Sequence, residues 1–240
     1  MNACQTCLGR HGTLCGALDD EAVARLRSQA QDETIQRGRW LVHPGDPTST
    51  VFMLRSGYAH TARVTREGKR QILWFMFPGD FFGITHEQRY AYGAWADTDA
   101  TICRLGRERF DAFVESTPGL ERKLRLQLTR MLDSAQELIF TLGRKNALER
   151  VASFVWYLQY RQRKVGQEAG TTSIPMSRAD IADFLGLTSE SVSRAMTQLK
   201  RDNLIRLPRP GEVEILDLAR LREVGVVMAE PTPIDLGPAR

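Results

Sequence analysis

SRADIADFLGLTSESVSRAMTQLKR, residues 177–201, is the stretch whose reading decides the fold. Ser177 and Asp180 have the spacing of a capping box, which opens a short helix over Arg178–Leu185 with Ile181, Ala182 and Leu185 facing inward. Gly186 supplies a turn and Leu187 an apolar corner. Thr188 then caps a second helix, Ser189–Lys200, whose inward positions are Val192, Ala195, Met196 and Leu199. Two short helices joined through a glycine make a helix-turn-helix. The outward face of the second helix begins with Ser189, Glu190, Ser193, Arg194 and Thr197, next to the cap Thr188, and such N-terminal residues reach base edges in a major groove. Arginine donates two hydrogen bonds to guanine, glutamate accepts from the cytosine amino group, and serine contacts thymine. Arg178, Lys200 and Arg201 are placed for salt-dependent phosphate contacts. Leu204–Leu207 and Glu212–Leu216, joined through Pro208–Gly211, read as a hairpin wing.

Upstream, the polar stretch 164–172 reads as a loop and 146–160 as an amphipathic helix, with Gly143 as a hinge before it. A long helix is predicted from Pro118 to about Leu142. In it Leu124, Leu128, Met131, Ala135, Leu138 and Leu142 follow spacings of 4, 3, 4, 3 and 4, a heptad seam. Such a seam fits a parallel pairing with a second copy of the chain, the alternative being a helix packed on its own protomer.

The pattern before Leu105 is different. Short β-rich runs, including 40–42, 51–54, 59–64, 71–77 and 100–105, are broken by Pro44-Gly45-Asp46, Arg55-Ser56-Gly57, Glu67-Gly68 and Pro78-Gly79-Asp80. Many short strands with glycine corners predict an antiparallel β-roll, cupin-like in architecture. Residues 19–29 carry a short helix. The expected class is α+β: a Cys-bearing leader (1–18), a sensory β-roll (19–117), a dimerisation helix (118–143), a winged helix-turn-helix domain (144–228) and a flexible tail (229–240).

The chain has 240 residues, 42% hydrophobic and 26% charged, with a net charge of +4. That balance indicates neither disorder nor fibrous structure and is compatible with nucleic acid without demanding it. The start lacks a basic segment followed by an apolar one, and the most apolar run, Ile72–Phe77, is far too short for a bilayer, so a cytoplasmic protein with no membrane partner is expected. In a reducing compartment the four cysteines point to metal or redox chemistry before disulfides. Cys4, Cys7 and Cys15 form a C-x2-C-x7-C pattern, with Cys103 remote. On ligand chemistry alone, four thiolates suit an iron–sulfur cube or a zinc ion. His11, His43, His60 and His86 have no partner spacing and receive no role.

Roll, long helix and winged helix-turn-helix, in that order, resemble the CRP/FNR family of bacterial regulators over about residues 4–225. Echoes include Arg55-Ser56-Gly57, Pro78-Gly79-Asp80 with Phe82-Gly83, Lys145-Asn146-Ala147 before Glu149-Arg150, and Leu185-Gly186-Leu187-Thr188. Glu190, Ser193 and Arg194 match the E-x-x-S-R of the FNR branch. That match implies a homodimer reading double-stranded DNA at a TTGAT…ATCAA palindrome, with RNA polymerase as a partner. Cyclic-nucleotide binders of the family follow Phe-Gly with Glu and later present an Arg-Ser or Arg-Thr pair to grip the phosphate. Here Phe82-Gly83 precedes Ile84 and Thr85, and the later stretch reads Gly93-Ala94-Trp95-Ala96-Asp97, so no cyclic nucleotide is expected. Cys103 stands where FNR-type sensors keep a fourth ligand. The resemblance, which extends to the FnrL or FnrN kind through the x7 spacing, therefore implies a [4Fe–4S] cluster on Cys4, Cys7, Cys15 and Cys103 that oxygen dismantles. Haem, a small ligand or thiol oxidation are the rival signals. A cupin-like enzyme is the remote alternative, disfavoured by the scattered histidines of the roll.

Overall fold

The structure, a computed structural model, describes residue 7 and residues 14–164 and 170–227. Cys4, His11, most of the leader and the tail at 229–240 lie outside the described residues. The chain divides into two compact units between Met131 and Leu132.

In the first unit a 3-10 turn, Cys15–Ala17, precedes α1 (Asp20–Gln29). The Asp19 carboxylate caps α1 by accepting from the Ala22 amide at 2.7 Å. Eight strands follow: β1 (Gln31–Ile35), β2 (Trp40–Val42), β3 (Thr50–Ser56), β4 (Ala59–Val64), β5 (Arg70–Met76), β6 (Phe81–Phe82), β7 (Gly93–Ala96) and β8 (Ala100–Gly106). They form two four-stranded antiparallel sheets, ordered β1-β8-β3-β6 and β2-β7-β4-β5. This is the expected roll.

The run Val51-Phe52-Met53-Leu54 is apolar at every position because both faces of its sheet are covered. Phe52 and Leu54 point into the roll with Ile102, Met76 and Ala94. Val51 and Met53 point the other way, towards Leu14, Leu18, Val23, Phe110 and Phe113. That outer layer comes from Leu14 and Leu18 before α1, from α1, and from α2 (Arg107–Ser116), a helix not anticipated from the sequence. Gly57 makes the Arg-Ser-Gly corner with φ +82°, and a Cβ there would lie 2.4 Å from the Asp99 carbonyl oxygen. Only glycine fits.

The long helix, α3 (Leu120–Arg144), runs through Gly143 without a break, so the expected hinge at that residue is corrected. The helix ends at Lys145-Asn146, because Asn146 starts α4 (Ala147–Lys164). Its side chain accepts from the Leu148 and Glu149 amides at 3.0 and 3.1 Å, and Glu149 accepts from the Asn146 amide at 2.8 Å. That reciprocal cap terminates one helix by nucleating the next.

In the second unit α5 (Arg178–Leu185) and α6 (Ser189–Arg201) are the two helices of the expected motif. The wing pairs β10 (Ile205–Arg206) with β11 (Glu212–Ile215). A third strand, β9 (Thr171–Ser173), joins β11 and overlaps the end of the stretch read as a loop. It forms because Gln162 of α4 accepts from the Ser173 amide at 2.8 Å and donates to its carbonyl at 2.6 Å. A short helix, α7 (Leu218–Val224), follows, capped by Asp217. No described helix is long and apolar enough to cross a membrane.

Candidate functional site

Two sites come from the residues, one in each unit. In the second, Ser177 and Asp180 form both halves of the capping box, at 3.1 Å from hydroxyl to Asp180 amide and 3.1 Å from Ser177 amide to carboxylate. Gly186 turns the chain with φ +60°. Thr188 caps α6 by accepting from the Ser191 amide at 3.2 Å. Val192, Ala195, Met196 and Leu199 are buried, as the period of the helix requires.

The opposite stripe of α6 is exposed: Glu190, Ser193, Arg194, Thr197 and Lys200, followed by Arg201. Ser189 is partly covered and its carbonyl accepts from the Ser193 hydroxyl at 2.8 Å, while Thr197 donates back to the Ser193 carbonyl at 2.9 Å. The Arg194 guanidinium donates to the Ser191 hydroxyl at 3.0 Å, which holds it over the first turn. Hydrogen bonds from the Glu190 amide and Thr188 hydroxyl, with Arg194 adding a smaller attraction, hold the Glu190 carboxyl below its usual pKa. The helix therefore presents a carboxylate acceptor beside a guanidinium donor. Arg178 is half-buried, and burial lowers its pKa, yet a guanidinium remains charged. Of the predicted phosphate-contacting residues, Lys200 and Arg201 are open and Arg178 is partly covered.

The first unit gathers the sulfur atoms. Cys7, Cys15 and Cys103 are partly exposed thiols that form no disulfide. Cys103 lies on the outer face of β8, paired with Met53 of β3 on one side and Asp32 of β1 on the other. Cys15 donates to the Met53 sulfur at 3.2 Å. Both cysteines line one apolar hollow together with Leu14, Phe110, Phe113 and Leu120. The hollow therefore joins the leader, the sheet, α2 and the first residue of α3.

Beside it the Arg55 guanidinium donates to Asp32 at 2.6 Å and Arg27 donates to the same carboxylate at 2.7 Å. Burial alone would lower the Arg55 pKa, but its hydrogen bond to Cys7 and the charge of Asp32 outweigh that and raise it. Among the described residues no three Cys, His, Asp or Glu groups stand at metal-binding spacing, and Cys4 lies outside them. The donor set itself, soft thiols at an apolar pocket with a neighbouring cation, fits a thiolate-bound cluster.

The predicted seam residues of α3 divide between faces. Leu124 and Met131 pack against the outer layer of their own roll. Leu138 and Leu142 are half-buried, and Ala135 is exposed. The bare apolar side chains are Leu128, Leu132 and Ile139, the last two 58% and 71% exposed, with Phe140 beside them. Leu128, Leu132, Ala135 and Ile139 follow spacings of 4, 3 and 4 along α3, the spacing of a heptad stripe.

His60, assigned no role from the sequence, is buried with its Nδ1 2.7 Å from the Asp97 carboxylate and its ring stacked on Trp95 at 5.3 Å. It is a polar tie inside the roll, remote in sequence from its partner and therefore without a local signature.

The matched families are the Crp-like helix-turn-helix domain, over residues 149–224, and the Cyclic nucleotide-binding domain, over residues 32–117. The transcriptional activator protein FnrL of Cereibacter sphaeroides is 33% identical over 227 residues, 93% of this chain and 92% of that relative. The chain belongs to the CRP/FNR family. This CRP/FNR protein is also 36% identical over 221 residues to the transcriptional activatory protein AadR of Rhodopseudomonas palustris, covering 90% of this chain and 91% of AadR. The structure of FixK2 from Bradyrhizobium japonicum superposes with a TM-score of 0.77 at 28% identity, covering 83% of this chain and 99% of FixK2. The CRP/FNR member described here is a DNA-binding transcription regulator and not an enzyme.

Proposed function

We propose that this regulator is a cytoplasmic, oxygen-responsive homodimer that holds a [4Fe–4S] cluster on Cys4, Cys7, Cys15 and Cys103 and binds a TTGAT…ATCAA palindrome, acting with RNA polymerase. The observation that carries the reading is the convergence of Cys15 and Cys103 on one apolar hollow that also reaches the start of α3. When bound, the cluster supplies a group that reacts with oxygen. Cys103 contributes from a strand paired on both sides, whereas Cys15 contributes from a short turn at the end of the leader. The thiols would therefore tie the leader to the sheet, and Leu120 and Phe113 line the same hollow.

Support for the homodimer is the bare stripe Leu128, Leu132, Ala135 and Ile139, which a second copy of α3 would cover. Support for the operator is the FNR-type trio Glu190, Ser193 and Arg194 on one exposed face of α6. The roll is filled by its own Phe52, Leu54, Met76, Ala94 and Ala96, which supports a signal other than a cyclic nucleotide. A switch of this kind needs only a few kcal/mol of preferential stabilisation of the DNA-binding dimer, roughly what one docked metal site provides.

The test is an anaerobic preparation followed by admission of air. The expected result is brown protein with iron and sulfide in a ratio fitting one cluster per chain, operator binding in a gel shift, and loss of both in air. Colourless, iron-free protein that binds the palindrome fully would overturn the cluster, and a Soret band would replace it with haem.

A further inference from the structure

We infer that Arg150 is a positioning residue for operator binding, latching the C-terminal end of α3 to the turn of the helix-turn-helix. Its guanidinium donates to four backbone carbonyls. Nε reaches Lys145, the residue after α3, at 2.9 Å, and Nη2 reaches Leu142 in its last turn at 2.8 Å. Nη1 reaches Leu185 at 2.8 Å and Gly186 at 3.3 Å, at the end of α5.

The physical reason lies in helix termini. The last carbonyls of a helix lack partners within it and carry the negative end of the macrodipole. Arg150 satisfies such carbonyls on two helices at once with a single delocalised cation. A planar fork with five N–H donors suits this geometry, and an ammonium does not. Arg150 is itself held in place, because the Asn146–Glu149 cap fixes the first turn of α4 from which it projects.

Two further contacts reinforce the latch. Leu142 Cδ2 lies 3.4 Å from the position that a Cβ on Gly186 would take, so the end of α3 also packs on the turn. Lys145 is buried and donates to Glu137, about two turns back along α3, at 2.9 Å. The turn that Arg150 grips leads through Leu187 into the Thr188 cap and the base-reading start of α6. The pose of Glu190 and Arg194 is thus set against the end of α3 through one side chain.

The inference rests on operator reading by α6, and the experiment separates the two. Arg150→Gln and Arg150→Lys proteins are purified anaerobically beside the parent. Each is measured for thermal unfolding, sedimentation, and affinity for the palindromic duplex and for an unrelated duplex. Failure of the parent to prefer the palindrome would sink the operator reading; only the difference between parent and variants bears on Arg150. The expected result for Arg150→Gln is unfolding and dimerisation like the parent, at least a tenfold loss of operator affinity, and affinity for unrelated DNA within twofold. Arg150→Lys is expected to keep the fold and recover little of the loss. If the Gln variant unfolds, the Lys variant decides by the same comparison. Parent-like operator affinity in a folded variant, equal loss on both duplexes, or unfolding of both variants would overturn the positioning role.

Discussion

The sulfur of Cys15 lies 3.2 Å from the sulfur of Met53, and Met53 stands opposite Cys103 in the β3–β8 ladder. One methionine therefore forms a wall shared by two thiols that reach the hollow from different parts of the chain. A thioether is soft and apolar, so it packs against thiols without competing for protons.

Replacing Cys103 by Ser should separate ligation from folding. The side chain sits on the outer face of β8 and belongs to neither buried cluster. Thermal stability of the metal-free protein should change by no more than about 0.5 kcal/mol, while iron and sulfide in anaerobic preparations fall to background. Parent-level iron in the Ser variant would remove Cys103 from the ligand set.

Ile139→Glu should produce monomers in sedimentation experiments and leave protomer unfolding nearly unchanged, because this side chain is 71% exposed on the protomer. Leu124→Ala should do the reverse. Its contact is with the roll's outer layer, so a loss of about 1–2 kcal/mol in stability is expected before any change in dimer affinity. A dimer that survives Glu at position 139 would place the seam on another face.

Arg194→Ala should cost about 1–3 kcal/mol on the palindrome and relax preference at one base pair per half-site. Lys200→Ala should instead weaken all duplexes alike and reduce the salt slope by about one. Competition gel shifts against single-base variants at several salt concentrations distinguish the two. Uniform weakening by Arg194→Ala would show that it contacts phosphate.

Glu190 gives a pH prediction with a definite sign. Its carboxyl pKa is lowered, first by its own backbone amide and then by the Thr188 hydroxyl, so the ionised form is favoured in the folded helix. Any contribution of that carboxylate to cap and operator is present above the ordinary carboxylate range and is lost as pH falls through the depressed value. Operator affinity should therefore be insensitive to this group from pH 8 to about 5, and Glu190→Gln should lower affinity equally across that window. A parent-specific fall in affinity with an apparent midpoint near 6, absent in Glu190→Gln, would contradict the assignment.

The readable parts of the fold were those whose signals are local. Ser177 with Asp180, Gly186 and Thr188 specify helix ends within a few residues of one another, and α5 and α6 begin where those residues say. β9 is three polar residues whose strand character depends on pairing with β11 and on Gln162, neither of which is near in sequence. α2 starts after Gly106 without a side-chain cap, so only Phe110, Phe113 and Val114 mark it. The signal for α7 was present in Asp217, a capping residue just before an amphipathic turn. On α3 the heptad is visible in the sequence, but the packing of Leu124 and Met131 on the outer layer of the roll is not, because the residues they touch are remote in sequence. Asn146 three residues before Glu149 marked the true break, while Gly143 distracted from it.

Strand β8 is flanked by β1 and β3, so its backbone has no free edge. A proline or an insertion between Ala100 and Leu105 would tear two ladders at once, whereas a change of side chain at 103 leaves both ladders intact. Position 103 is consequently constrained in space and open in chemistry. An engineer could exchange the thiol there for an imidazole or a carboxylate and change the donor chemistry of the hollow without rebuilding the barrel around it.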